Sequence, residues 1–358
     1  MGYIDADTHV IEPDAAWSRL SPGEQRFRPQ PITTDGSQDQ WSGFKRFWLF
    51  DGQLVPRGLQ GEVMPGTPPD DVRSVENPTE RMRWMDRQGV ETQVIIPSFF
   101  LVTLIELPAA QVALARSYNR WMADQCRGSG GRLRWALVPP YLDMEACREE
   151  IQFGAANGAV SILMRPIEGR RMIVDPYFFP MYAEAERLNL AIGVHIGNTY
   201  LPVYQQPRAV MYSVVPMAAA FVTVYVSDFA ERFPSLKFAF LESGSEWLPY
   251  AFREISRGAD TAARRNVAVR PTPLAGTNLF VDCTCDEDLP HVLKFAGEDN
   301  LVIGSDFGHT DFATDVDAHQ RLMVRTDLAP HVLAKISDHN GRRIYGLKGA
   351  GATTSRAA

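Results

Sequence analysis

The sequence predicts an α/β protein, a (β/α)8 barrel, and three observations lead there. Eight short apolar runs recur along the chain, amphipathic stretches of helical length separate them, and the 358 residues exceed the roughly 250 that one such barrel needs. The runs at 3–6, 92–96, 133–138, 159–163, 191–194, 237–241, 279–281 and 301–303 are rich in Ile, Val, Leu and Phe. Most are apolar on both faces, as strands buried in a parallel sheet must be. The intervening stretches at 78–88, 108–126, 144–156, 177–188, 217–233, 247–265 and 286–295 carry helical periodicity. Strict alternation of strand and helix favours a closed barrel over an open doubly wound sheet.

Two regions break the spacing. Residues 11–75 form a long Pro-, Gly- and aromatic-containing insertion after the first strand, expected to cap the strand ends. The stretch 196–216 follows the fifth strand and carries Tyr200, Tyr204 and Tyr212. The expected organisation is one domain over 1–348 and a disordered tail at 349–358.

Composition narrows the function. A net charge of -7 with acidic and basic residues interspersed gives no basic stripe for nucleic acid. Cys126, Cys147, Cys283 and Cys285 lack zinc-finger or disulfide-framework spacing, which fits a reducing compartment. Cys283 and Cys285 share a strand face and read as small apolar filling. The opening MGYIDADTHV has no secretory pattern and no apolar run reaches about 18 residues, so a soluble, cytoplasmic enzyme without a membrane partner is expected.

In a (β/α)8 barrel the chemistry lies at the C-terminal ends of the strands. Four predicted strands end in ionisable groups: Asp7-Thr8-His9 on the first, His195 on the fifth, Glu242 on the sixth and Asp306 on the eighth. Alternate residues of a strand share a face, so Asp7 and His9 can both point inward. An isolated Asp-x-His or strand-end His is an everyday structural feature; convergence on one rim is what gives these weight. Two imidazoles with two carboxylates form a donor set for Zn²⁺, Mn²⁺ or Fe²⁺.

The segments IDADTHVIEP, GVHIG, ESG, GSDFGH and NGRRIYGL, in that order from residue 3 to residue 347, resemble the amidohydrolase-2 branch of the amidohydrolase superfamily. That branch includes aminocarboxymuconate-semialdehyde decarboxylase and hydroxybenzoate-type decarboxylases. The resemblance implies a mononuclear site with Asp7, His9, His195 and Asp306 as ligands, zinc being the first expectation and manganese or iron the alternatives. It also suggests a homodimer. Two departures stand out. Many members carry His-x-His on the first strand, where this chain has Asp7. The decarboxylases carry a His at the end of the sixth strand, where this chain has Glu242. The fourth strand ends Leu163-Met164-Arg165, without the Lys of binuclear members, so one metal is expected.

The sequence-level mechanism is hydrolysis of a small carboxylated aromatic or cyclic substrate, with Glu242 as acid/base on a metal-activated water. Arg165 is expected to meet a substrate carboxylate, the alternative being a structural ion pair under the barrel rim. Arg57 is a second candidate anion contact from the insertion. Phe99, Phe100 and Tyr200 are expected to form an apolar wall, against the alternative of loop packing. His309 is expected as a second acid/base or as a group orienting a ligand. Glu246 reads as a helix N-terminal carboxylate, and His291, His319, His331 and His339 as structural. Nonoxidative decarboxylation is the alternative reaction, and an inactive barrel serving as a binding protein is the second alternative.

Overall fold

The computed structural model describes residues 2–36, 44–57, 67–200, 214–263, 274–310 and 313–348. Its main sheet has eight parallel strands: β1 (Tyr3–Val10), β5 (Val90–Pro97), β6 (Leu133–Leu137), β7 (Ala159–Met164), β10 (Ala191–His195), β11 (Phe238–Leu241), β12 (Leu279–Cys283) and β13 (Leu301–Ile303), neighbours in that order. All eight predicted runs are strands. The sheet closes where the last strand meets the first: Asp306 N–H donates to the Asp7 carbonyl at 3.0 Å and His9 N–H to the Phe307 carbonyl at 2.6 Å. The seam of the barrel is therefore built from the same residues as the expected metal site.

The helices lie between these strands, and their ends follow from local chemistry. Helix α2 (Pro78–Gln88) starts with Pro at its first position, where no N–H is needed. The Asn77 side chain accepts the Glu80 N–H at 3.1 Å, and left-handed Gly89 (φ 71°) stops the helix. Helix α4 (Pro108–Cys126) also begins on Pro, and α5 (Met144–Ala156) is capped by Asp143, which accepts from Glu145 and Ala146 N–H. Two expected helices are interrupted. Pro180 in α6 (Phe179–Arg187) leaves the preceding Pro176–Phe178 as a separate 3-10 turn. The 217–233 stretch divides into α7 (Val214–Val226) and α8 (Phe229–Arg232), because Ser227 Oγ bonds the Val224 carbonyl and Asp228 bonds Arg232. Helices α9 (Leu248–Ala263) and α10 (Leu289–Ala296) complete the set expected from sequence.

Residues 11–75 contain elements of their own. An antiparallel sheet of β2 (Gln30–Thr33), β3 (Arg46–Phe50) and β4 (Gln53–Pro56) precedes the single turn of α1 (Asp70–Arg73). Trp17, Trp48 and Phe50 carry it onto the barrel through edge-to-face contacts that include Phe99. Arg81, completely buried in α2, ties this side together: it donates to the His9 carbonyl at 2.9 Å, Thr8 Oγ1 at 3.2 Å and Gln93 Oε1 at 2.8 Å. Among the described residues no helix is long and apolar enough to cross a membrane.

Candidate metal centre

The site is built at the C-terminal ends of β1, β10, β11 and β13. Asp7 and His9 leave β1 on one face, with His9 Nε2 3.2 Å from Asp7 Oδ1. His195, the last residue of β10, places Nε2 3.5 Å from Asp7 Oδ2 and 2.9 Å from Glu242 Oε2. Asp306 Oδ1 lies 3.1 Å from His9 Nε2 and 2.8 Å from His309 Nδ1. The His309 ring stacks on His9 at 3.7 Å between centroids and meets Ser98 Oγ through Nε2 at 2.7 Å. All six acidic and imidazole side chains are shielded from solvent.

These groups fall into two overlapping donor sets, Asp7–His9–His195–Glu242 and His9–Glu242–Asp306–His309. The expected quartet is thus distributed over both sets, and Glu242, expected as an acid/base, lies within ligand distance in each.

The donor chemistry fits a cation. Asp7 Oδ1, His9 Nδ1 and Nε2, His195 Nε2 and Asp306 Oδ1 are buried without a hydrogen-bond partner. Most of these atoms face one another at 2.9–3.2 Å without hydrogen-bond alignment, and a bound cation would give them a common partner. His195 Nδ1 faces its neighbour's carbonyl, Ile196 O, at 2.9 Å, so Nδ1 carries a proton and Nε2 is the inward nitrogen, able to give its lone pair to a cation once bound. Electrostatics point the same way. Burial alone would raise the Asp7 carboxyl, but His195 and His9 hold it well below the ordinary carboxylate range. Burial opposes charge on His195, yet Asp7 and Glu242 push it well above the usual histidine value. Burial, reinforced by the charge of His309, takes His9 down to about 4. Burial lifts Glu242 to about 7, with His195 pulling against it. Three carboxylates crowded in an apolar barrel call for positive charge.

The backbone is specialised at two of these carriers. Glu242 (φ 58°) and Asp306 (φ 52°) both adopt the left-handed conformation at the ends of their strands. This costs a residue with a Cβ about 1–2 kcal/mol and is characteristic of functional sites. Two glycines flank Asp306 and let the strand end approach β1. A Cβ on Gly304 would lie 2.4 Å from Asp7 Cβ, and one on Gly308 (φ 117°) 2.5 Å from the His9 carbonyl oxygen.

The expected substrate contacts are placed differently. Arg165 does not face the ionisable cluster. It is buried against Glu168, with Nε and Nη2 on the two carboxylate oxygens and Nη1 3.2 Å from the Thr103 carbonyl. The ion pair under the rim describes it better than an open anion contact. Phe99, expected in a substrate wall, belongs to the core instead, 1% exposed among Trp17, Phe50 and Phe100. Phe100 packs with it against Tyr118. Arg57 lies over the Trp48 ring at 4.6 Å and donates to the Glu12 carbonyl at 3.3 Å. Half-buried Tyr200 shares the neighbourhood of Glu106, Arg165 and Glu168, and burial with those acids raises its phenol to about 12. Tyr204 and Tyr212 lie outside the described residues.

Sequence reasoning missed the residues around the cluster. Buried Asp5 accepts from Ser305 N–H at 2.9 Å and Ser305 Oγ at 2.6 Å, pinning the turn before Asp306. Thr314 Oγ1 donates to Asp306 Oδ2 at 2.7 Å. Glu12, also buried, accepts the Phe99 N–H at 3.0 Å. Asp5 alone carried a signal, since it precedes Asp7 and His9 in the same every-second-residue pattern.

Comparison with known proteins agrees with the fold. The Amidohydro_2 model of the amidohydrolase family matches residues 4–347. Among solved structures, an amidohydrolase from Mycobacterium avium subsp. paratuberculosis is 21% identical, with a TM-score of 0.77, covering 97% of this chain and 98% of its own. The 2,6-dihydroxybenzoate decarboxylase from Rhizobium is 18% identical with a TM-score of 0.68, covering 98% and 100%. A 5-carboxyvanillate decarboxylase from Novosphingobium aromaticivorans, solved with bound manganese, is 16% identical with a TM-score of 0.66, covering 96% and 97%.

Proposed function

The chain belongs to the amidohydrolase family, and from that premise we propose that it is a metal-dependent carboxy-lyase removing CO₂ without oxidation from a small aromatic or cyclic acid. Glu242 supplies the acid that this reading needs, a buried carboxyl on its own strand, converging with both donor sets and 2.9 Å from His195. Two of the similar structures are of decarboxylases, which supports the reaction class.

Asp7, His9, His195 and Asp306 would hold one divalent ion, zinc or, as in one similar structure, manganese. When bound, that ion supplies Lewis-acid binding of substrate oxygen atoms and charge neutralisation. The protein's own residues do the rest. The bond from ring carbon to carboxylate carbon breaks, CO₂ departs, and the electron pair left on the ring carbon takes a proton from Glu242, which solvent reprotonates. A carboxyl kept in apolar surroundings retains its proton until a stronger base forms beside it. His309, held between Asp306 and Ser98, fixes the orientation of the Asp306 carboxylate. Arg57 and the elements of residues 11–75 are assigned to covering the substrate.

Hydrolysis, the reaction first expected from the sequence, is the second reading. The same Glu242 in its ionised form, beside His195, is placed to take a proton from water. The two are separated by incubating zinc- or manganese-loaded enzyme with carboxylated phenols, cyclic acids and their amides in ¹⁸O-water. CO₂ released in step with substrate loss, reduced at least about 100-fold in a metal-replete Glu242→Gln variant, is the expected result. Incorporation of ¹⁸O into an organic product without CO₂ would establish hydrolysis instead.

A further inference from the structure

The turn after β11 offers a row of backbone N–H groups, and two carboxylates from the next strand take them. Asp282, buried near the end of β12, accepts from Glu242 N–H at 2.7 Å and Ser243 N–H at 3.4 Å, one on each oxygen. Glu287, on the loop leaving β12, accepts from the N–H groups of Ser245 and of Glu246 (3.1 Å) through one oxygen. Its other oxygen takes Ser245 Oγ at 2.6 Å and Thr284 N–H at 3.0 Å. Gly244 sits in the middle with φ 63°, and a Cβ there would lie 2.5 Å from Glu287 Oε1. The Trp247 indole closes the turn on the Gly244 carbonyl at 2.7 Å. This arrangement surrounds Glu242, whose left-handed backbone is one that residues with a Cβ adopt rarely.

We propose that Asp282 is a positioning residue for Glu242, with Glu287 clamping the far half of the same turn. Both Asp282 oxygens are committed to the turn, so its role is to fix where the Glu242 carboxyl points. A carboxyl suits this because each of its oxygens accepts one N–H; burial beside the charges of Asp7 and Glu287 pushes the group up, and these two bonds pull it back. An Asn in its place would set an NH₂ against one of the two N–H donors and release it. The function assigned to the turn rests on Glu242 as the acid/base; the holding of the turn does not.

The test uses metal-loaded Asp282→Asn protein, hydrogen exchange of the 242–247 peptide and a crystal structure. Exchange in that peptide should quicken about tenfold, the loss of one hydrogen bond, with the 303–307 peptide and metal content unchanged. Glu242 should leave the left-handed region and move away from His195. On the acid that the wild-type enzyme turns over, kcat should fall roughly ten- to hundredfold with KM unchanged. The substitution should cost nothing further in the Glu242→Gln background. Glu287→Gln, loosening Ser245 and Glu246 first, serves as the second variant where Asp282→Asn does not fold. Unchanged exchange with Glu242 still at positive φ beside His195 would overturn the proposal. A loosened turn with full activity in Glu242→Gln would keep Asp282 as the holder of the turn and remove Glu242 from the acid/base role.

Discussion

Two buried clusters of charge lie at the mouth of this barrel, and they are built on opposite terms. At the exit of β7, Arg165 spends its guanidinium on Glu168 and the Thr103 carbonyl, so the charge is answered from within the protein. At the exits of β1, β10, β11 and β13, carboxylates and imidazoles crowd together while ring nitrogens and oxygens of Asp7, His9, His195 and Asp306 lack hydrogen-bond partners. A satisfied ion pair shapes the rim and asks for nothing more. A cluster whose groups meet without aligned hydrogen bonds, with two of its carriers in a strained backbone conformation, persists at a cost in stability and has room for a cation to lower it.

The contrast can be broken most forcefully at the unsatisfied cluster. His195→Ala should empty the site and lower turnover by at least about three orders of magnitude. The metal-free variant should also unfold earlier than metal-free wild type, because Asp7 and Glu242 lose the imidazole beside them and a buried cavity is left. Elemental analysis and paired thermal melts check both halves; retained metal, or an unchanged melt, would contradict the assignment. Arg165→Met should lower stability alone. Glu168 would be left as an uncompensated buried charge, costing about 3–5 kcal/mol in denaturant unfolding, with metal content intact. The Arg165→Met/Glu168→Leu pair should recover most of that loss. A stable Arg165→Met enzyme with raised KM would instead make Arg165 the substrate contact that the sequence suggested.

A third, finer distinction concerns Glu12, which lies between the barrel and residues 11–75. Burial raises its carboxyl from 4.5 to about 7, against the pull of its hydrogen bonds to Phe99 and its own backbone. The folded state therefore binds this proton more tightly than the unfolded state. Stability is undiminished below pH 4.5 and falls as pH rises toward 7, by about 3 kcal/mol in all. Glu12→Gln should remove that loss, so its unfolding curve should match wild type at pH 4 and be the more stable at pH 8. Parallel curves at both pH values would show that Glu12 titrates normally. The smallest effect is expected from Thr314→Val, which deletes the bond to Asp306 Oδ2. Metal affinity, read by chelator competition, should weaken about tenfold while the melt barely moves.

Much of this was legible in the residues. The eight apolar runs are the eight strands, since burial on both faces leaves a parallel strand no alternative composition. Helices α2, α4 and α5 announced their ends through Pro at the first turn, Asn and Asp caps and a terminal Gly. Asp7, His9, His195, Glu242 and Asp306 were visible because a strand end in a barrel has one destination, the mouth. The outer partners were not. Nothing local distinguishes Asp282 or Glu12 from a surface acid, and Ser98 lies 211 positions from the His309 it meets. Arg165 and Phe99 stayed between two readings for the same reason: a guanidinium or a ring after a strand has several possible neighbours, and sequence spacing does not choose among them.

The sequence by itself determined the barrel, the order of its strands and which ionisable groups reach its mouth, because hydrophobic periodicity and strand-end position are properties of consecutive residues. Only the tertiary structure decided which of those groups touch, that Glu242 lies within reach of both donor sets, and that Arg165 turns to Glu168. Those outcomes depend on how neighbouring strands align across the sheet and on two left-handed residues, Glu242 and Asp306, whose N–H groups bond to strands remote in the chain.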